Sequence, residues 1–477
     1  MRIPLKPAIL AMVLALSATA QAAETSVEQA GTIKTALERY LGPGPVSVSP
    51  AGEAYKIDID IKAMLHRLEA LGLAMEPASY TMMAVPQQDG TWHVTGGTLP
   101  PLTAKLNGQT TSIVANGQSF DGIFDPRIPA FTKSTGSYDS VSIGTISDKV
   151  AAQARQLSQG QQSTSAMATG DGVVDAKLTQ GNAAFSQDVA FDARKGAPSR
   201  LSIKSGPTSD VTAVEGLHIR ALADLWAFLV AHPSSEALKS SQGDLKSLLR
   251  EALPVFQRWA QDASLERISM ETPVGPFAMR AVKVHFDVRG LTSDGMASLA
   301  VTTDGLTVPA DKLPSWANSL IPTSFDLHQS ISGYHLDQAA RAGVDALDLN
   351  APQPLSPETL AKMKELLGPT DKMVVSVGPS RITSSTLDAR FEGEVHLTLP
   401  SPAFTMTVQA TGLDKAVQTI QAKAQQDPSA SQVIAALMLV KGYGKTAPDG
   451  SMTWALVGDG TGAITVNGVP LPSGPTK

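Results

Sequence analysis

The sequence predicts an α+β fold of predominantly antiparallel, meandering sheets with amphipathic helices packed on them, elongated and partly built from repeated strand–turn–helix units. Tight-turn dipeptides are the first reason. Asn-Gly stands at Asn107, Asn116 and Asn467, and Asp-Gly at Asp89, Asp121, Asp171, Asp294, Asp304, Asp449 and Asp459. Such pairs tolerate the positive φ of hairpin turns. The second reason is period-two alternation beside those turns, as in Tyr80 to Val85 and Trp92 to Val94 around Asp89, and Ala463 to Val466 before Asn467. That alternation reads as antiparallel hairpins with one covered face. Helical patterns that interrupt the strands are the third.

Residues 1–22 read as a secretory signal peptide. Arg2 and Lys6 precede an apolar or small stretch from Ala8 to Ala20, and Ala20-Gln21-Ala22 is a small-x-small cleavage site before Ala23. The stretch is shorter than the roughly 20 residues that a membrane-spanning helix needs. The expected mature chain begins near Ala23, outside the cytoplasm, in a periplasm.

Along the mature chain we expect an N-terminal β-rich unit over 23–206, a middle unit over 207–350 and a C-terminal α+β unit over 351–477. Leu222, Leu225, Trp226 and Leu229 form one apolar stripe, and Leu245, Leu248, Leu249, Leu253 and Phe256 another. Together they predict a helical hairpin over 217–263, broken around Pro233. Ser158 to Gly170, rich in Ser, Gln and Thr, predicts a loop or an exposed edge, and the prolines between Asn350 and Ser356 mark the best boundary. Ser356-Pro357 opens a helix that Gly368-Pro369 stops. Leu413, Val417, Ile420 and Ala424 share a helical face, and after Asp427-Pro428 the run Val433 to Val440 predicts a helix buried on every side.

A strand, a turn and a helix recur four times. The strands are Tyr55 to Ile61, Val211 to Gly216, Phe325 to Gly333 and Phe404 to Gly412, and each leads into an amphipathic segment. Three of them turn at Gly216, Gly333 or Gly412. Each such unit should lay a helix stripe across a sheet.

Composition removes several classes of chemistry. The chain has no cysteine, which excludes disulfides, thiol catalysis, cysteine metal sites and a lipoprotein anchor. Its 38 basic and 44 acidic side chains give a net charge of −6 with no block of like charge, which argues against nucleic acid and against a polybasic membrane contact. After residue 22 no apolar run reaches membrane length, so no transmembrane segment is expected in the mature chain.

Motifs of catalysis are not evident. His66, His93, His218, His232, His285, His328, His335 and His396 include no i, i+4 pair. His285 and His396 read as strand residues facing water or a hydrogen-bond partner. Gly442-Tyr443-Gly444-Lys445-Thr446 lacks the early glycine of a phosphate loop, since that position holds Leu439, and it follows a helix rather than a strand. It reads as a helix end. Asp58/Asp60 and Glu392/Glu394 each fall on one strand face and read as solvated. Trp92, Trp226, Trp259, Trp316 and Trp454 do not cluster into a sugar platform. We therefore assign no catalytic, cofactor-binding or metal-binding residue and expect no cofactor and no enzyme activity.

Several stretches together resemble one exported proteobacterial family of unknown function, family 2125. They are Phe120 to Phe131, the Leu222 to Phe256 region with Ala231-His232-Pro233, Trp316 to Pro322, and Asp449 to Trp454 followed by Val466 to Leu471. The helix-bearing antiparallel sheets are also similar to AsmA-like envelope proteins, in which a curved sheet cradles lipid. What the resemblance implies is a cell-envelope protein without assigned catalytic residues. Many members of such families keep a membrane anchor, whereas this chain reads as cleaved free. The function expected is a non-enzymatic periplasmic protein that binds lipid or another apolar ligand in a sheet–helix groove. A scaffold that meets envelope protein partners is the alternative, and a hydrolase whose residues converge only in the fold is a third.

Overall fold

A computed structural model describes residues 25–65, 73–106, 108–147, 152–191, 200–290, 294–368, 373–397, 402–423 and 428–471. The signal segment, His66 and Ala424 lie outside them. The protein is mostly antiparallel sheet with helices, an α+β architecture weighted to β. Turn dipeptides close many hairpins as expected. At Asn467-Gly468 both φ values are positive (53° and 83°), the backbone that a two-residue turn of matching twist demands. Asp121-Gly122 differs, because it lies inside the strand Ser119–Asp125. A Cβ on Gly122 would stand 2.8 Å from the Phe131 ring, so this glycine serves close packing rather than a turn.

A strand runs into a helix at the four expected places. At the first, Ile61 opens the helix instead of ending the strand, and the remainder of its expected helix, to Leu71, lies outside the described residues. Ala54–Asp60 leads into Ile61–Leu65, Thr208–Leu217 into Ile219–Ala231, Pro322–Tyr334 into Leu336–Ala346, and Ala403–Thr411 into Leu413–Lys423. Gly216, Gly333 and Gly412 take φ of 63°, 82° and 83° at three of them, a conformation closed to most side chains.

The chain divides into two compact units, residues 1–260 with 337–363, and residues 261–336 with 364–477. These limits differ from the expected 206 and 350. Strand pairing explains the first difference, because Thr208–Leu217 pairs with Val173–Ala190 and carries the first unit past 206. The second arises from helix contacts. Arg250 Nε donates to Asp345 Oδ1 at 2.7 Å and Lys246 Nζ to the Asp345 carbonyl at 2.9 Å, which ties Leu336–Ala346 to Gln242–Glu251. The proline-rich 350–356 segment thus lies inside the first unit.

In the first unit the strands Val46–Ala51, Ala54–Asp60, Ser79–Pro86, Trp92–Gly96, Ser119–Asp125 and Ala130–Ile146 pair in that order. The helix Val27–Leu41 lies on their apolar face. Ser26 caps it, its Oγ accepting from Gln29 N at 3.1 Å. Ile33 and Leu37 of the helix are fully buried with Tyr55, Ile57, Trp92 and Phe124 of the sheet. Beyond this core the sheet continues through Ala152–Gly170 and Val173–Ala190. The Ser/Gln-rich stretch 158–170 is therefore a strand and not a loop, paired on both sides as far as Ser165 and on one side only over 166–170, which is the exposed edge expected. Its side chains gave no apolar period because little is buried on either face there; backbone pairing alone specifies it.

The helical hairpin is also shorter than expected. Helices occupy Ile219–Ala231, Ser235–Ser240 and Gln242–Glu251, and Arg258–Thr272 is already strand. Ala227 and Val230 are the buried positions of the first helix, while Trp226 and Leu229 of the expected stripe are 42% and 38% exposed.

In the second unit seven strands pair consecutively as a meander: Gly275–Arg289, Gly295–Asp304, Pro322–Tyr334, Val374–Ser384, Asp388–His396, Ala403–Thr411 and Met452–Asp459. The helices Leu413–Lys423 and Pro428–Tyr443 pack near its last strands. Ala410, Leu413, Met452, Trp454 and Val466 form the core there with Leu437 and Tyr443. Trp454 Nε1 donates to the Val440 carbonyl at 2.7 Å. The second helix is not buried on every side. Met438, Leu439 and Val440 are 52%, 65% and 49% exposed, because the sheet contacts only the Leu437–Tyr443 side of an all-apolar surface.

Candidate ligand-binding face

Registered residues on neighbouring strands share a face, so the pairing of the second unit sorts its side chains into two sets. On one face stand four cross-strand rows. Val282, Thr303, Phe325, Ile382, Ala389, Ala410 and Met452 form the first. Val284, Val301 and Leu327 continue on the far strands as Phe391, Val408 and Trp454. Phe286, Leu299, Gln329, Val377, Gly393, Met406 and Leu456 make the third, and Val288, Ala297, Ile331, Val375, Val395, Phe404 and Gly458 the fourth.

The opposite face carries Lys283, His285, Asp287, Thr302, Asp326, His328, Arg381, Asp388, Arg390, Glu392 and Glu394. Charges of opposite sign neighbour one another across it. His285 Nδ1 lies 2.7 Å from Asp262 Oδ1 and His328 Nε2 3.0 Å from Asp326 Oδ1. Arg381 pairs with Asp388, whose carboxylate holds the guanidinium above its ordinary value. This face is solvated. One side of the sheet is therefore ionic and the other hydrocarbon.

A β-bulge preserves that separation. Alternation alone would put Val377 and Ile382, five residues apart, on opposite faces. The register shift between Val377 and Ser380, at Gly378-Pro379, restores Ile382 to the apolar side.

The two helices cover only the corner of the apolar face made by Ala389, Val408, Ala410, Met452, Trp454 and Leu456. Elsewhere Phe286, Val288, Ile331, Val375, Val395, Phe404 and Met406 are only half-buried and Leu299 is 40% exposed. Each open row crosses six inter-strand gaps of about 4.8 Å, roughly 29 Å in all. One leaflet of hydrocarbon is about 15 Å deep, half of a ~30 Å core. A row thus exceeds the length of one acyl chain.

A concavity of about 580 Å³ lies in the first unit between the end of Val27–Leu41 and the helix Ile219–Ala231. Ala227, Phe228, Val230 and Leu248 give it an apolar floor, and Arg39 and Asp224, paired at 2.5 Å, form its rim. His232 stacks on Phe228 with ring centroids 4.0 Å apart, and its Nδ1 lies 2.8 Å from the Phe228 carbonyl. This histidine is engaged in capping its own helix.

The remaining residues singled out in the sequence are not brought together. His93 pairs with Asp121 at 2.7 Å, His218 Nδ1 lies 3.2 Å from the Glu251 carbonyl and His396 lies 3.9 Å from Glu394. No group of three potential metal ligands occurs among the described residues. Asp58 accepts from Thr81 at 2.5 Å beside Lys56, and hydrogen bonds from both hold its carboxyl below the ordinary range against a desolvation that raises it. Glu392 and Glu394 are exposed. The glycines at 442 and 444 end a helix, with Gly444 N donating to the Lys441 carbonyl at 3.0 Å. The apolar face was missed as a site because each of its strands reads as an ordinary covered strand. The usable signal was a surplus of alternating strands over helices able to cover them.

No family model matches the chain, and neither a curated protein nor a solved structure shows significant similarity to it. No helix among the described residues is long and apolar enough to cross a membrane.

Proposed function

We propose that this is a non-enzymatic protein of the cell envelope, exported through residues 1–22 to the periplasm, that binds lipid acyl chains on the apolar sheet face of its second unit. The observation that carries the reading is the uncovered part of that face, Phe286 to Val288 across to Phe404 and Met406, set against an ionic opposite face. An exposed apolar area of this continuity marks a binding surface. Burying a methylene contributes about 0.8 kcal/mol, so an acyl chain laid along one row gains affinity without any polar contact. Among the described residues the histidines and carboxylates are scattered and internally paired, with no convergent acid–base or nucleophilic group, which favours binding over hydrolysis.

Delipidated mature protein titrated with fluorescent phosphatidylcholine tests this. Saturable uptake is expected, with competition by unlabelled phospholipid. Absence of uptake at micromolar protein would reject the proposal.

A further inference from the structure

The first unit carries its own cross-strand row, Leu102, Ile113, Ile143, Arg155, Gln187 and Ile203, in which a guanidinium stands among apolar neighbours. Register fixes what surrounds Arg155. Ile143 and Gln187 lie directly opposite it, Val141, Thr145, Phe185 and Val189 diagonally, and Gln153 and Leu157 along its own strand. None of these is acidic. Arg155 Nη2 donates to Gln187 Oε1 at 3.0 Å, and its guanidinium carbon sits 5.8 Å from the Phe185 ring centroid. Its Nε is buried and has no hydrogen-bond partner.

An unpaired buried donor on a cation is costly. Arg127, in the same unit, shows the satisfied arrangement. Its Nε and Nη2 both donate to Asp125, at 2.8 and 2.7 Å. The corresponding edge of Arg155 has a neutral amide on one nitrogen and nothing on the other. A phosphate oxyanion can take that edge bidentately once the Gln187 amide moves aside and uncovers Nε, and Leu157, Ile143, Phe185 and Ile203 supply hydrocarbon contact next to it.

We propose that Arg155 anchors the phosphate headgroup of an anionic lipid whose acyl chain lies along this apolar strip. The inference rests on the lipid-binding reading above and adds headgroup selectivity and a second location to it.

The mature protein should be offered fluorescent phosphatidic acid or fluorescent diacylglycerol, identical in acyl chains and delivered from the same cyclodextrin carrier, so that only one of the two lipids bears a phosphate. Wild type is expected to take up the anionic lipid roughly tenfold more strongly, the effect of a charge-assisted bidentate contact. Arg155→Gln should equalise the two lipids with its unfolding midpoint unchanged or higher, and Arg155→Lys should retain part of the preference. Should Arg155→Gln fail to fold, the Lys variant and wild type decide. Equal uptake of both lipids by wild type would overturn the Arg155 site and leave acyl binding standing; no uptake of either would overturn both. A preference that survives in folded Arg155→Gln, or glycerol phosphate binding as tightly as the lipid, would also overturn the assignment.

Discussion

Two stretches of sheet in this protein carry the same alternating pattern and meet different fates. In the sheet over 46–131, the inward side chains Ile57, Val94 and Trp92 are 0%, 1% and 0% exposed, because the helix Val27–Leu41 lies on them. In the sheet over 275–459, equally apolar side chains such as Val288, Ile331 and Val395 stay half-buried because helices reach only one corner. A strand's binary pattern says that a face avoids water and is silent on what shields it. Where a helix of the chain lies on it, the face is core; where the described helices do not reach, it stays half-buried.

The contrast predicts graded consequences. Trp92→Ala, in the covered sheet, should cost about 3–5 kcal/mol in urea unfolding. A much smaller loss would mean that the covered sheet is as loosely shielded as the open one. Leu299→Ser, on the open face, should change stability by only about 1 kcal/mol, yet lower uptake of fluorescent phosphatidylcholine severalfold. Equal damage to stability and uptake would show that the face is structural. Ser26→Ala removes the cap of the covering helix and should cost about 1 kcal/mol, read as a lowered unfolding midpoint without loss of lipid uptake.

The smallest expected effect concerns pH. Asp125, buried at the edge of the covered sheet, accepts from Arg127 N, Nε and Nη2, and these bonds hold its carboxyl below the ordinary range. A depressed carboxyl contributes stability that is fully present above the unfolded value of about 3.9 and is lost as pH falls through the folded value. Asp125→Asn should therefore flatten the fall in unfolding midpoint below pH 4. An unchanged slope would place the acid sensitivity elsewhere.

Local signals made much of the fold legible. Glycines 216, 333 and 412 and the alternation before them located strand-to-helix junctions to within two residues, since a positive φ and a change of period are written in adjacent residues. Pairing that depends on the backbone was not legible: Gln161, Gln162 and Ser163 form a strand interior without any apolar side chain to declare it. Nor was the buried or exposed state of Val433 to Val440 or Leu229, because hydrophobicity reports a preference and not the presence of a neighbour. The open sheet face fell into the same blind spot. Its residues were all visible as strand, and how far helices cover them among the described residues depends on the rest of the chain.

The kink at Gly378-Pro379 has a consequence for how this chain tolerates change. It works as a phase corrector, so shortening that strand by a single residue would turn Val375 and Val377 toward the ionic side and deliver Ser376 to the hydrocarbon one. Length changes there are harmless only in pairs, and the same parity rule makes the spacing around this proline a more sensitive marker of an intact two-sided ribbon than the identity of any one valine.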